Sequence, residues 1–342
     1  MIELVCLVVA LALTLVSAPA KAQTVEEFYR RHELAFYVGY PIGSAYDLYG
    51  RLVGRHLGMH LPGTPTVVMR NMPGASSLIL ANALGNTLPR DGSVIGGLFE
   101  RIGLEPLVNP QNAKYDGRQF AWIGSVLKVT DVCMFWAAAP VKTIADAMKQ
   151  EVIVGSAGNS GGSALEARVL NAFTGTRFRL IAGYGGPELF LAMERGETQA
   201  RCGMSWGGLK ASKSDWLAEG KLNIVVQLAL QKHPELPDVP LVMDLVKSPA
   251  DRVALEYLYA TQEMGRPYAA PPGTPPERVA ALRQAFDETM VDPDFLRDAA
   301  RSNLDVTPIT GAAVQEIIAR LYQTPREIID RVEALRGPLG AD

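Results

Sequence analysis

Short runs of β-branched and aromatic residues, bounded by Gly, Ser and Pro, alternate with helical periodicities along most of this chain. The helical stretches give each strand a crossover, so the pattern predicts an α/β fold with mostly parallel strands. Expected strands are Leu34–Gly39, Thr66–Arg70, Val94–Phe99, Val132–Ala137, Val152–Gly155, Phe178–Ala182, Ala200–Met204 and Leu222–Ala229. The first expected helix, Asp47–Met59, puts Tyr49, Leu52, Val53, His56 and Leu57 on one face by helical spacing. Another spans Ser76–Thr87. The tail from Pro275 reads as polar-faced helix. Within it, Thr274-Pro275-Pro276-Glu277 and Thr324-Pro325-Arg326-Glu327 each offer Thr at N-cap, Pro at N1 and Glu at N3. A length of 342 residues suggests two domains. Pro-rich stretches at 234–240 and 271–276 are the expected connections.

Charge and apolar content exclude two classes. With 33 Lys+Arg against 36 Asp+Glu, no basic excess exists to neutralise nucleic-acid phosphates, so no nucleic-acid partner is expected. At 48% hydrophobic residues the chain can bury enough surface to offset its conformational entropy. Residues 4–17 form one apolar run, shorter than a membrane span and suited to a signal-peptide core. Ala20-Lys21-Ala22 then supplies an A-x-A cleavage site, although Met1-Ile2-Glu3 lacks the usual positive charge. Residues 1–22 are therefore expected to be removed, leaving a periplasmic chain. No later segment reaches membrane length; the stretch from Val132 to Val141 is broken by Pro140. Export would leave Cys133 and Cys202, each in an apolar strand-like run, and two buried thiols are expected rather than a disulfide.

Three Gly/Ser-rich loops follow expected strands and precede expected helices: residues 40–47, 155–163 and 182–187. A small-residue turn lets backbone approach a ligand, and the helix behind it offers unpaired N–H groups. Together they suit a small anion without any Lys or Arg. The second loop also matches G-x-S-x-G at Gly158-Asn159-Ser160-Gly161-Gly162, the turn of a serine hydrolase with Ser160 as nucleophile. The only histidine after it is His233, in a proline-flanked segment, so a catalytic triad is poorly supported. His56 and His60 have the spacing of a two-ligand metal clamp, but His56 lies on the apolar stripe and no acidic or thiol partner is near in sequence. No metal is expected. Gly203 and Gly208 have the Walker gap, with Leu209 where Lys is needed; no cofactor is expected.

The order and spacing of several motifs together resemble the extracytoplasmic receptors of tripartite tricarboxylate transporters, the Bug receptors. The family pattern V-P-F-x-P-G-G-x-x-D is similar to Val38-Gly39-Tyr40-Pro41-Ile42-Gly43-Ser44-Ala45-Tyr46-Asp47. N-x-P-G-A-G is similar to Asn71-Met72-Pro73-Gly74-Ala75-Ser76, and P-x-D-G-x-x-x-G to Pro89 through Gly96. S-x-G-x-G-S is similar to the segment Ser156 through Ser163, and Y-x-G to Tyr184-Gly185-Gly186. Leu236-Pro237-Asp238-Val239-Pro240 and Ala270 through Pro275 resemble L-P-D-V-P and A-P-x-G-T-P.

The resemblance implies a two-domain periplasmic-binding-protein fold of the Venus-flytrap kind, type II-like, with ligand held in a cleft between domains. Carried over, one domain comprises residues 24–130 plus 231–342 and the other 131–230. It implies a solute receptor without catalytic residues, acting as a monomer, that hands a small organic anion to large and small integral-membrane permease subunits. A sensor docking on a signalling protein is the alternative within the same fold. The ligand carboxylate would be held by backbone N–H groups and hydroxyls. Tyr40, Ile42, Gly43, Ser44, Ala45 and Tyr46 of the first loop would serve with Asn159, Ser160, Ser163, Tyr184, Gly185 and Ser205. Asp47 is expected to cap the first helix. Ser44, Ala45 and Tyr46 depart from the family's Gly, Pro and small hydroxyl residue, so phenols crowd the expected pocket.

Overall fold

A computed structural model describes residues 23–158, 162–185 and 188–336. Eleven strands are present among the described residues: β1 Leu34–Val38, β2 Val67–Asn71, β3 Val94–Gly97, β4 Ala121–Ser125, β5 Asp131–Trp136, β6 Val152–Ser156, β7 Phe178–Ala182, β8 Ala200–Ser205, β9 Leu222–Leu228, β10 Pro267–Ala270 and β11 Ile309–Thr310. They form two sheets, ordered β11-β4-β10-β3-β1-β2 and β7-β6-β8-β5-β9. Nine helices of nine residues or more cover them: α1 Ala45–His60, α2 Leu78–Asn86, α3 Gly162–Thr174, α4 Trp206–Ala218, α5 Pro249–Tyr259, α6 Pro276–Val291, α7 Pro293–Arg301, α8 Gly311–Leu321 and α9 Arg326–Ala334. No helix among the described residues is long and apolar enough to cross a membrane.

The sheets are mixed, which corrects the expectation of mostly parallel strands. Four pairings are parallel and five antiparallel. The reason lies in the chain path. It leaves the first sheet after β4, builds the second, and returns to insert β10 between β3 and β4, running against both. β5 likewise enters between β8 and β9 and opposes each. All eight expected strands are present. The three not expected are β4, β10 and β11, of which β11 has two residues and β10 opens with proline.

Helix α1 buries the expected stripe of Tyr49, Leu52, Val53, His56 and Leu57, and it also buries Gly50, Gly54 and Gly58. These glycines, four apart, let it lie directly on β1 and β2. A Cβ at Gly54 would stand 2.5 Å from Met69 Sδ, and one at Gly58 2.6 Å from the Pro65 carbonyl. His56 Nε2 lies 3.2 Å from Asp298 and His60 Nε2 2.9 Å from Asp292, so each histidine ties α1 to its own carboxylate on or beside α7. No cluster able to hold a metal occurs among the described residues.

The two expected capping boxes do not form. Both helices start one residue later, with Pro275 and Pro325 extended at N-cap and no side-chain cap. At the first, Pro276 holds N1 and forces the preceding Pro275 out of helical ψ. Thr274 meanwhile donates its hydroxyl proton back to the Pro271 carbonyl at 2.8 Å. Asp47 is likewise not the N-cap of α1. Ser44 caps it, its Oγ accepting from Asp47 N at 3.2 Å.

One apolar cluster runs behind both sheets, from Leu80 of α2 and Trp122 of β4 to Phe135 of β5 and Val154 of β6, with Tyr257 and Tyr259 of α5 within it. Cys133 of β5 and Cys202 of β8 lie in that cluster on adjacent strands and are joined as a disulfide. The expectation of two free thiols is therefore corrected. The antiparallel pairing of β5 with β8 slips at Cys133, between Val132 and Met134, and this irregularity turns the two side chains toward each other. The local sign of that slip is Gly203, which stands beside Cys202 at positive φ.

Candidate functional site

A cavity of about 820 Å³ lies where the two sheets and their helices face each other. From the first sheet's side it is walled by Ala45, Tyr46 and Tyr49 of α1, by Phe99 and Glu100 after β3, and by residues 303–307. From the second side come Asp131 at the start of β5, Ser205 at the end of β8, and the first turn of α4. The chain passages between sheets supply Leu127 to Thr130, Gln262 and Arg266. The two sides touch at one edge: a Cβ on Gly207 would stand 2.5 Å from Asp305 Oδ2.

The wall on α1 is a stack. Tyr40 and Tyr46 lie ring on ring, centroids 4.1 Å apart and 6° from parallel. The Arg266 guanidinium covers Tyr46 at 4.1 Å. Tyr46 donates its hydroxyl proton to Glu100, whose carboxylate also stands 3.9 Å from Arg266 Nη1. Burial raises the Glu100 carboxyl above its ordinary value, against the pull of Tyr46 and Arg266. Burial, then the neighbouring Glu100 charge, raises the Tyr46 phenol well above 10.0. Asp131 is pushed up to about 7, by burial first and then by Glu100. Its hydrogen-bond partner is Gln262 Nε2 at 3.3 Å.

The turn beneath Tyr40 is unusual. Gly74, Ala75, Ser76 and Ser77 all have positive φ, one left-handed turn built mostly from residues that disfavour it. It is held by Ser77, buried, whose Oγ accepts from Phe99 N at 2.9 Å, and by a hydrogen bond between Tyr40 and Ser76. The strain supports the tyrosine stack on one side of the cavity and Phe99 on another.

Of the twelve expected ligand residues, Ala45, Tyr46 and Ser205 line this cavity, and Tyr40 backs Tyr46. Ile42, 76% exposed, and Gly43 sit at the outer tip of their loop. Ser163 is half-buried in the first turn of α3, and Tyr184 and Gly185 stand in the loop after β7. Gly183 N and Tyr184 N both donate to Ser156 O, which joins that loop to the one after β6. Asn159 and Ser160 lie outside the described residues, as does the expected signal segment at residues 1–22.

Two expected anion donors are already occupied by the chain itself. Gly43 N donates to Asp47 Oδ2 at 2.9 Å and Gly185 N to Glu188 Oε2 at 2.7 Å. The hydroxyl oxygens of Ser44 and Ser205 accept from Asp47 N and Gly208 N as the caps of α1 and α4, which leaves their O–H groups to donate. Burial opposes the Asp47 charge, but hydrogen bonds from Arg51, Asn71 and Gly43 outweigh it and hold its carboxyl below the usual range. Three charged residues of the cavity wall, Glu100, Asp131 and Arg266, were not singled out in the sequence. They sit just past β3, at the first residue of β5 and just before β10. A charged residue abutting an apolar strand is the signal that could have found them.

This fold, with a cavity between two sheet-centred halves, is that of a periplasmic solute-binding protein. A family model described as the tripartite tricarboxylate transporter family receptor, TctC, matches residues 56–333, and the chain belongs to that family. It is a receptor and not an enzyme. Among solved structures it is similar to a TctC solute-binding protein from Polaromonas, at 23% identity and TM-score 0.70, covering 89% of this chain and 99% of that one. A Rhodopseudomonas palustris protein with bound adipate matches at 16% identity and TM-score 0.59, covering 90% and 98%. MatC from Rhodopseudomonas palustris with bound malate matches at 18% identity and TM-score 0.56, covering 90% and 99%.

Proposed function

We propose that the chain captures a small organic carboxylate between its two halves and delivers it to a membrane permease made of large and small integral subunits. The observation that carries this reading is the 820 Å³ cavity at the junction of the two sheets, in a chain of this receptor family. The bound malate and adipate in two relatives support a carboxylate as the ligand class. The two lobes are residues 24–130 plus 231–342 and residues 131–230, with the cavity as their cleft. Residues 1–22 act as an export signal, and the chain works in the periplasm as a monomer. The Cys133–Cys202 bridge supports an oxidising compartment.

Charge-assisted hydrogen bonds net about 1.5–3 kcal/mol each, so three or four suffice for micromolar binding. Closing the lobes excludes water and strengthens each of them. The test is a thermal-shift screen of the purified mature chain against organic acids. A ligand at about 100 times its Kd adds roughly 2.7 kcal/mol of stability. Tyr46→Ala, which removes the wall between Tyr40 and Arg266, is expected to weaken the best ligand at least about tenfold. A screen in which no acid moves Tm overturns the reading.

A further inference from the structure

Behind the cavity, helix α3 of the second half is tied to α5 and α9 of the returning chain. Glu166 of α3 accepts from the Tyr259 hydroxyl of α5 at 2.6 Å. Arg168 Nη1 donates to the Leu335 and Arg336 carbonyls at the end of α9, 3.3 Å each. Phe173 lies under the Arg331 guanidinium of α9 at 4.6 Å. Helix α9 is in turn fixed to the first half. Its Glu333 pairs with Arg101 at 2.7 Å, and Arg326 Nη1 donates to the Leu107 carbonyl at 3.0 Å. On the far side of the cavity the halves touch at Gly207 and Asp305. A change in the angle between the halves therefore shifts α3 against α5 and α9, and these polar links are what it strains.

One link carries a titratable group sealed in the joint. Glu166 faces Tyr259 of α5, Asp131 of β5 and Arg336 after α9. Arg336 Nε stands 2.8 Å from Glu333, which also holds Arg101. From β8 it meets Gly203, where a Cβ would stand 3.0 Å from Glu166 Cγ, so the glycine makes room for it. Ionised, Glu166 has the Tyr259 hydroxyl and part of the Arg336 charge in its favour. Burial and the Asp131 charge stand against it.

We infer that this joint is a proton-operated hinge: a neutral Glu166 keeps α3 seated on α5 and α9 with the halves in contact, and its ionisation loosens the seat and opens the cavity from behind. The inference rests on the two-lobe reading of the chain and needs no contact between Glu166 and a ligand. The carboxyl's rise to about 8 in the seated form, from burial first, agrees with it. A joint opened to water returns the group toward its ordinary 4.5. The closed arrangement thus has its full advantage at low pH and loses it as pH climbs through about 8. Ligand affinity follows the closed population and falls over the same range.

The experiment measures the distance between two nitroxide labels on the mature, oxidised chain, with no ligand added. The labels stand on opposite halves, at Val291→Cys at the end of α6 and Ser212→Cys on α4, both exposed positions. Between pH 7 and 9 the ratio of open to closed populations rises at least about fourfold. In Glu166→Gln, near-isosteric and checked for folding by thermal melting, it rises about twofold or less, the remainder coming from Asp131. Tyr259→Phe takes away the hydroxyl that favours the charged carboxylate, so the rise comes at higher pH. Arg168→Met unties the end of α9 and raises the ratio at pH 7 at least about threefold, with its pH dependence kept. A distance that does not change with pH, or a rise as large in Glu166→Gln, overturns the inference. So does a rise at unchanged pH in Tyr259→Phe. An Arg168→Met ratio equal to the wild type overturns the part given to α9. The organic-acid screen decides the receptor reading separately.

Discussion

Glu166 of α3 is buried, and its Oε2 accepts from the Tyr259 hydroxyl of α5 at 2.6 Å. Burial above all, with Asp131 adding to it, raises its carboxyl from an ordinary 4.5 to about 8. The folded chain therefore holds this proton more tightly than the unfolded chain does. The stability it confers is complete below about pH 4.5 and is lost as pH climbs through about 8. Glu166→Gln keeps the acceptor for Tyr259 and removes the titration. Melting curves from pH 5 to 8 are expected to fall less steeply in the variant, which at pH 8 exceeds the wild type by on the order of 1–3 kcal/mol. Asp131 slopes the same way, so the variant's curve is shallower and not flat. Single residues were the least legible level of this molecule. Tyr46 and Ser205 could be placed by the sequence because they stand beside loops with a recognisable form. Glu100, Asp131 and Arg266 meet only because three separate strand ends converge, and no spacing along the chain encodes that convergence.

At the scale of elements, helix α1 shows what periodicity reads well and what it misses. Its apolar face follows from the sequence, and its bounds shift by two residues at the start and one at the end. The second stripe, Gly50, Gly54 and Gly58, carries no hydropathy signal, yet it sets how closely α1 lies on β1 and β2. Alanine in a helix is ordinarily worth about 1 kcal/mol over glycine. Here a Cβ at Gly58 would meet the backbone carbonyl of Pro65 at 2.6 Å, which no side-chain adjustment relieves. Gly58→Ala is therefore expected to lower stability by about 1–3 kcal/mol in denaturant unfolding, opposite in sign to helix propensity. The caps at Pro275 and Pro325 mark the other limit. A motif of suitable residues gave the helix but not its first residue; at the first of the two, Pro276 holds Pro275 extended and puts Thr274 out of the cap position.

For the whole molecule, the Cys133–Cys202 bridge closes a loop across a sequence separation of 69 residues, taking in β6, β7, α3 and most of the second sheet. By chain entropy a loop of that size is worth about 4 kcal/mol, and measured bridges commonly give 2–4. Cys133→Ser with Cys202→Ser, or reduction of the native chain, is expected to lower stability by about that amount, read as a shift in denaturant midpoint. The α/β class was legible because the alternation of strand and helix survives any tertiary detail. The bridge was not, since it depends on a one-residue slip between paired strands. The position of β10 has a consequence for how the chain comes into being. The strands of the second sheet are contiguous, so it can assemble as soon as its own segment is free. The first sheet lacks a middle strand until Pro267–Ala270 arrives, more than two hundred residues after β1. A chain threaded from its N-terminus can pair β1 with β2 and β3, but β4 has no neighbour on that side until β10 is in hand.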